Sequence, residues 1–354
     1  MFSFSMEEFR STPLPTEEEI MKSWQGDLGA PAISVVCMVY NQEQYIDDAM
    51  LGFLMQVTTF PFEVILHDDA STDSSAAIIR SYQARYPNIV KSILQTENQY
   101  SKGPSSVALF PAALAKGEYI ALCEGDDFWI EKDKLQVQYD ALKENPEVDF
   151  CFHRSIEMLC DQEDQPCRLT NEKEGNTAHI LPLNQIIREG GGMIKTAAVV
   201  LRRDIFAKLP PWYAECPVFD YVLKIIACQP KGALYLPRTM SLYRIAAQGS
   251  WTANLGKKYE KFVHDQDLSL RRLEEFIDPQ YRKLVRNARA RLAISASLFH
   301  FGNQNREQCR DFALRSLKLA GRLKKQAIRN IIFSSSPLVF KIAYKLRGAL
   351  RTVA

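Results

Sequence analysis

Residues 33–50 read ISVVCMVYNQEQYIDDAM, and the change of period inside that run decides the fold. Ile33–Val39 is a continuous apolar run of strand length, rich in β-branched residues, as in a strand covered on both faces. From Glu43 to Gln56 the apolar residues fall at helical spacing instead, with Asn41 placed as a cap. The same unit repeats outward. Phe62–His67 reads as strand and Ser74–Tyr86 as helix, then Val90–Leu94 as strand and Ser105–Lys116 as helix, stopped by Gly117. Tyr119–Cys123 is a fourth strand, Lys132–Glu144 a helix ending at Asn145-Pro146, and Val148–His153 a further strand. Strands alternating with helices of this length predict an α/β fold, a mostly parallel sheet with flanking helices.

Beyond this core the pattern loosens. Residues 1–30 form a polar lead-in with a short helix near Thr16–Trp24. The main domain is expected to span 31–255, with 31–153 as its first half and 154–255 as its second. In that second half Asp161–Asn176 reads as loop and Thr196–Leu201 as strand. Arg203–Leu209 and Phe219–Cys228 read as helices, and Ala233–Leu236 and Ser241–Ile245 as two short strands. Residues 256–354 are a basic helical region broken at Ser334–Pro337.

The 354 residues, 46% hydrophobic and 24% charged, have the balance of a soluble globular protein. The longest apolar runs fall well short of the roughly 18 residues of a membrane span, and the first residues lack the basic and apolar regions of a secretory signal. The eight cysteines have no CxxC or metal-type spacing, Cys160 and Cys167 included, so a reduced, cytosolic protein is expected. Net charge is +2, but from Gln304 onward 12 Lys/Arg face 2 Asp/Glu, a surplus of +10. The remainder is therefore at −8, an acidic body with a basic tail.

In parallel sheets ligands gather at the carboxyl ends of strands. Tyr40-Asn41 follows the first strand, Asp68-Asp69 the second, and Glu124-Gly125-Asp126-Asp127 the fourth. Asp73 reads as a helix cap, which leaves the Asp68-Asp69 pair to accept hydrogen bonds from a ribose hydroxyl or a base N–H. Adjacent carboxylates about 4 Å apart repel by about 1 kcal/mol in water and by more in a cleft. A divalent cation, Mn²⁺ or Mg²⁺, reverses that sign, taking one or two carboxylates and completing its shell with phosphate oxygens. With no GxxxxGK[ST] or GxGxxG loop to cradle phosphates, metal-mediated binding of a diphosphate is the expectation.

The succession ISVVCMVYNQEQYIDDAM, FEVILHDDASTD, GEYIALCEGDDFW and KLQVQYDAL, between Pro31 and His153, resembles the family-2 glycosyltransferases. Their fold is GT-A, and they are metal-dependent, inverting enzymes using nucleotide-diphosphate sugars. The likeness is greatest to bacterial members that build surface polysaccharide. The resemblance implies a base pocket at Tyr40 and Asn41, and contacts from Asp68 and Asp69 to uridine or a related nucleoside. Glu124, Asp126 and Asp127 stand at the family's DxD-type motif, with Asp126 and Asp127 as metal and diphosphate contacts and Glu replacing the first Asp.

In VFDYVLKII, Asp220 stands where the family's catalytic base opens a helix, a place where an acid also simply complements the helix dipole. MSLYRIAAQGSWT matches the segment after the base, but Ala246 stands where a His is expected. Arg244, Gln248 and Trp251 are left to steady the diphosphate, with Arg244 counted among the donor contacts. The implied acceptor is a hydroxyl of a glycan or lipid-linked glycan.

The basic tail reads either as the solvated face of a helical bundle or as an interfacial helix. In the second case Leu338, Val339, Phe340, Ile342, Ala343, Leu346 and Leu350 face lipid. Lys341, Lys345, Arg347 and Arg351 then meet anionic headgroups. Such a protein is cytoplasmic, or peripheral on the cytoplasmic face of the inner membrane. Nucleic acid is not an expected partner, since no aromatic platform or reading motif accompanies the basic residues. Two rival readings stand beside a transferase. A sugar nucleotidyltransferase needs a Gly-rich loop with Arg and Lys after its first strand, which VYNQEQYID lacks. A catalytically silent subunit of a glycan-assembly complex is favoured by Ala246 alone.

Overall fold

The computed structural model describes residues 4–103, 105–160, 166–216, 218–248, 259–320, 325–342 and 344. The chain divides into two compact units, Met1–Lys257 and Lys258–Ala354.

The first unit opens with α1 (Met6–Arg10) and α2 (Glu17–Met21). Alternation follows: β1 (Ile33–Val39), α3 (Ile46–Leu54), β2 (Phe62–Asp68), α4 (Ser75–Arg85), β3 (Val90–Leu94), α5 (Ser106–Leu114) and β4 (Tyr119–Glu124). Next come β5 (Phe128–Trp129), α6 (Lys134–Glu144), β6 (Phe150–Leu159), β7 (Pro166–Leu169), β8 (His179–Leu181), α7 (Leu183–Glu189), β9 (Val200–Arg202), α8 (Asp204–Ala207), α9 (Phe219–Ala227) and β10 (Ala233–Ile245). One sheet runs β3-β2-β1-β4-β9-β6-β10-β5, with β7 added to β6 and β8 to β10. It is mixed: β3, β2, β1 and β4 are mutually parallel, as are β6 and β10, while β9, β5, β7 and β8 pair antiparallel.

Register positions the site. Val39 lies opposite Asp68, and Met38 opposite Glu124, so the acidic ends of β2 and β4 flank the end of β1 at one level. The strands stay level because both faces are covered: Ile33, Val35, Val36, Cys37, Val64 and Leu66 are buried, and the core of this half includes Phe53, Trp129 and Leu135.

Several local expectations change. Asn41 does not cap α3, which begins after Tyr45; Asn41 sits at φ 53° and its Oδ1 accepts from Thr72 N at 2.7 Å. Asp73 does serve the start of α4, accepting from Ser75 N at 2.9 Å. Thr196–Ala198 is a 3₁₀ turn rather than strand, because side chains claim its carbonyls: Trp129 Nε1 donates to Ala197 O at 2.9 Å and Gln138 Nε2 to Ala198 O at 3.0 Å. The two short strands expected near 233–245 are one strand, whose register on β6 shifts between Leu236 and Ser241, around a proline, Pro237, that cannot donate to the ladder. The lead-in also carries more than one short helix. α2 is closed by a Thr16–Glu19 capping box, and α1 places Met6 and Phe9 against Leu51, Phe128 and Leu242.

The second unit is helical: α10 (Tyr259–Phe276), α11 (Pro279–Gly302), α12 (Arg306–Ala320) and α13 (Lys325–Phe333). The chain breaks at Ser334–Ser336 and is helical again over 337–342. Asp267 pairs with Arg289 and Arg315, and Glu274 with Arg286 and Arg289, tying three of these helices together. Among the described residues no helix is long and apolar enough to cross a membrane. Ala343, Lys345, Leu346, Arg347, Leu350 and Arg351, expected in an interfacial helix, lie outside the residues whose side chains are described.

Candidate active site

The acidic turn follows directly from β4. Gly125 N donates to Met38 O at 2.9 Å and Asp127 N to Glu124 O at 3.0 Å, folding the turn over the end of β1. A Cβ on residue 125 would stand 2.4 Å from Gln42 Oε1 and 3.1 Å from Val39 Cγ2, so a larger residue here displaces the Gln42 amide that packs on the turn. The turn thereby carries three carboxyls within four residues. Burial, then the charges of Asp126 and Asp220, push Glu124 up to about 8. Burial raises Asp126 as well, opposed by Arg244 and by a hydrogen bond from Gln42. Asp127 is held well above the carboxylate range by burial and by its two acidic neighbours.

Asp127, expected beside Asp126 as a metal contact, is 1% exposed and accepts from Arg244 N at 3.0 Å. Its Oδ1 fastens the turn to β10, while its Oδ2 is a buried acceptor without a partner among the described residues. Among the described residues no three His, Cys, Asp or Glu side chains gather into a cage for a metal. Glu124, whose proton affinity the charge of Asp126 raises, and Asp126 itself suit a cation that takes one or two protein oxygens and fills its shell from water and phosphate.

Arg244, expected as a donor contact, is turned inward and 1% exposed. Its guanidinium pairs with Asp48, donates to Asp126 O at 2.8 Å and lies 4.7 Å above the Phe128 ring. Asp48 also takes both Nε and Nη2 of Arg10 at 2.9 and 2.8 Å. The turn is therefore gripped from behind by the buried Arg244–Asp48 pair, with the exposed Arg10 on the far side of Asp48. Sequence reading missed Asp48 and Arg10. Asp48 lies off the main apolar stripe of α3 and is buried with Leu51 on a second face, which gives no periodic signal.

At the ends of β1 and β2, Tyr40 is 44% exposed. Asn41 links the two loops, its N–H donating to Ser71 Oγ at 2.9 Å. Asp68 accepts from Ser71 N at 3.1 Å through Oδ2, while its Oδ1 is a buried acceptor without a partner among the described residues. Asp69 is occupied on both oxygens by Gln99 N at 2.6 Å and Tyr100 N at 3.0 Å. Of the two, Asp69 orders the loop after β3 and Asp68 keeps an open acceptor.

Asp220 lies in the first turn of α9 with its side chain 41% exposed. Lys224, one turn on and buried, donates to Asp220 Oδ2 at 3.1 Å and to Ile194 O at 2.9 Å. A hollow bounded by Met38, Leu122, Glu124, Thr196, Phe219, Asp220 and Lys224 joins β1, β4 and α9. Glu124 and Asp220, 96 residues apart in sequence, thus both border one small hollow whose lining is almost wholly apolar. Ala246 is at φ 60°, and Gln248 N donates to the Tyr45 hydroxyl at 2.9 Å. His153 is buried in β6, its Nδ1 2.6 Å from Arg154 O. Trp251 lies outside the described residues.

Residues 34–209 match the family model described as Glycosyl transferase family 2. Rv1520 of Mycobacterium tuberculosis is 35% identical over 231 residues, 62% of this chain and 60% of its own, so the chain spans about 60% of that relative's length. Poly(ribitol-phosphate) beta-glucosyltransferase of Bacillus spizizenii is 39% identical over 116 residues, 32% of this chain and 17% of its own. The mannosyltransferase PcManGT of Pyrobaculum calidifontis, solved with GDP-Man and Mn²⁺, aligns over 98% of this chain and 92% of its own at a TM-score of 0.52. At 14% identity that likeness is one of fold, and the architecture is GT-A-like, as expected. The sheet order, the acidic turn after β4 and the family model agree: the chain belongs to glycosyl transferase family 2.

Proposed function

We propose that the protein is an inverting glycosyltransferase that moves a sugar from a nucleotide-diphosphate sugar, a UDP-sugar by preference, to a hydroxyl of a glycan or lipid-linked glycan in cell-surface polysaccharide synthesis. The observation that supports this reading is the nearness of Glu124 and Asp220, which border one small, almost wholly apolar hollow and whose charges act on each other. On this reading the cation and diphosphate lie at Glu124 and Asp126, beside the partly exposed carboxylate of Asp220. Asp220 takes the proton of the acceptor hydroxyl as its oxygen bonds to the anomeric carbon. The bond from that carbon to the diphosphate oxygen breaks on the opposite face, so configuration inverts and the nucleoside diphosphate leaves.

A divalent cation, Mn²⁺ or Mg²⁺, held by Asp126 with Glu124 would offset the charge growing on that leaving group. Asp127 and Arg244 fix the turn that presents those two acids. Lys224 orients Asp220, and Tyr40, Asn41 and Asp68 offer the nucleoside an aromatic face and acceptors, with Asp69 ordering the adjoining loop. Support for the donor class comes from PcManGT, which holds GDP-Man and Mn²⁺ on the same fold. Support for the acceptor class comes from a relative named for glucosyl transfer to poly(ribitol-phosphate). We place the protein in the cytoplasm or on the inner membrane's cytoplasmic face.

Ala246, in place of the family's His, favours a second reading: a silent subunit that keeps the fold. Release of UDP from a panel of UDP-sugars with acceptor, in Mn²⁺ and in EDTA, tests both. Turnover that needs Mn²⁺ and is lost in folded Asp126→Asn and Asp220→Asn supports the enzyme. A fully active Asp220→Asn removes the base assignment, and no turnover with any donor, including GDP-sugars, favours the silent subunit.

A further inference from the structure

The helix over 337–342 buries one side chain and exposes its opposite face. Phe340 is 4% exposed and packs edge-on against Phe301, with ring centroids 5.0 Å apart. Leu338 and Ile342, one turn apart and some 160° around the helix from Phe340, are 69% and 50% exposed. Val339 beside them is 37% exposed, and Ile332, in the last turn of α13, is 56% exposed. Singly exposed aliphatics need no explanation. Here, however, four of the twelve large hydrophobics exposed among the described residues fall within eleven positions.

The charged residues around them are of one sign. Lys325 and Arg329 are exposed on α13, seven and three positions before Ile332, and Lys341 is exposed between Leu338 and Ile342. After Asp311 the sequence holds no further Asp or Glu, while ten Lys or Arg follow. Aliphatic side chains flanked by cations are what an interfacial helix offers to a bilayer: the aliphatics enter the acyl boundary and the cations meet lipid phosphates.

We propose that the 325–342 segment is a docking surface for an anionic lipid bilayer, with Leu338 and Ile342 inserting and Lys325, Arg329 and Lys341 held at the headgroups. This goes beyond the transfer reaction and does not depend on it. A second copy of the chain is the other occupant its charge would allow, since the rest of the sequence is acidic at −8. The aliphatic tips favour lipid, because an acidic surface gives them nothing apolar to bury against.

The test is co-sedimentation of the full chain with vesicles of phosphatidylcholine alone and with a third phosphatidylglycerol, at low salt and at 0.15 M. Binding is expected only with the anionic lipid. Leu338→Ser/Ile342→Ser should weaken it at least tenfold. Lys325→Gln/Arg329→Gln/Lys341→Gln should weaken it roughly a hundredfold, at about fivefold per cation. All five positions are exposed, and unchanged thermal melts of the variants establish that they fold. No binding to anionic vesicles overturns the proposal, as does binding that neither variant weakens. Binding that the charge variant abolishes but the Leu338/Ile342 variant leaves intact overturns insertion. Self-association lost in these variants, without vesicle binding, assigns the surface to a second copy instead.

Discussion

Arg244 pairs with Asp48 inside the protein, 196 positions away in sequence, and from that pairing holds both Asp126 and Asp127 in place. Asp48 is shared with Arg10, so one carboxylate lies between two guanidiniums. The two cations are not equivalent. Arg244 has no exposed side-chain surface, whereas Arg10 is 43% exposed and its contribution is screened by water.

Asp48→Asn should therefore cost about 3–5 kcal/mol, because it leaves Arg244 buried without its counter-charge. Arg10→Met should cost about 1 kcal/mol or less. Urea unfolding of the two variants checks the difference. Equal costs would mean that Arg244 finds other compensation. A folded Asp48→Asn should also bind Mn²⁺ and nucleoside diphosphate more weakly, since the turn presenting Asp126 loses its anchor.

Gly52 sits in α3 directly against β5, and a Cβ there would stand 2.7 Å from Trp129 O and 2.8 Å from Trp129 N. Alanine normally gains about 1 kcal/mol over glycine inside a helix. Against rigid backbone the overlap should outweigh that gain by about 1–3 kcal/mol. Gly52→Ala is expected to lower Tm, and a raised Tm would show that α3 can move off β5.

The first half of the fold was legible because its signal is local. Strand and helix periods alternate from Ile33 to Glu144, and the polar clusters at the ends of β1, β2 and β4, Tyr40-Asn41 and then two sets of acids, fall there by counting alone. What was not legible depends on distant contacts. β5 is two residues long and carries no period. The Thr196–Ala198 turn looks like a strand until Trp129 and Gln138 take its carbonyls. Arg244 could be singled out from its segment, but its inward direction is set by Asp48 and by α1, which nothing near residue 244 encodes. Asp220 came from resemblance alone; its bond from Lys224 and its nearness to Glu124 depend on contacts that no local pattern encodes.

Lys224 bonds at once to Asp220 and to Ile194 O from a buried position. Lys224→Met leaves that carbonyl without its donor, at about 1–3 kcal/mol, and frees the Asp220 carboxylate to rotate. For the proposed transfer, kcat should fall at least tenfold while KM for the donor stays within about twofold, since misplacing a base affects chemistry before binding. Lys224→Arg should recover part of the loss. Steady-state release of nucleoside diphosphate measures both constants. A variant with unchanged kcat would separate Lys224 from the reaction.

Lys134 gives a pH dependence with a defined sign. Its side chain is buried, its Nζ lies 3.9 Å from the Trp129 ring centroid, and it has no hydrogen-bond partner among the described residues. Burial pushes the amine down to about 7, from an ordinary value of 10.5. Between those two values the unfolded chain binds a proton that the folded chain does not, so this residue makes stability rise with pH across that window, by up to about 1.4 kcal/mol per pH unit. Below about pH 7 the full penalty of burying the group is present, and above about 10.5 it is gone. Lys134→Met removes the penalty, so it should be more stable than the parent at pH 7, and the gain should shrink toward about pH 9.5. Urea midpoints of both proteins at the two pH values measure that difference directly. A gain that does not change with pH would show that Lys134 titrates alike in the folded and unfolded chains.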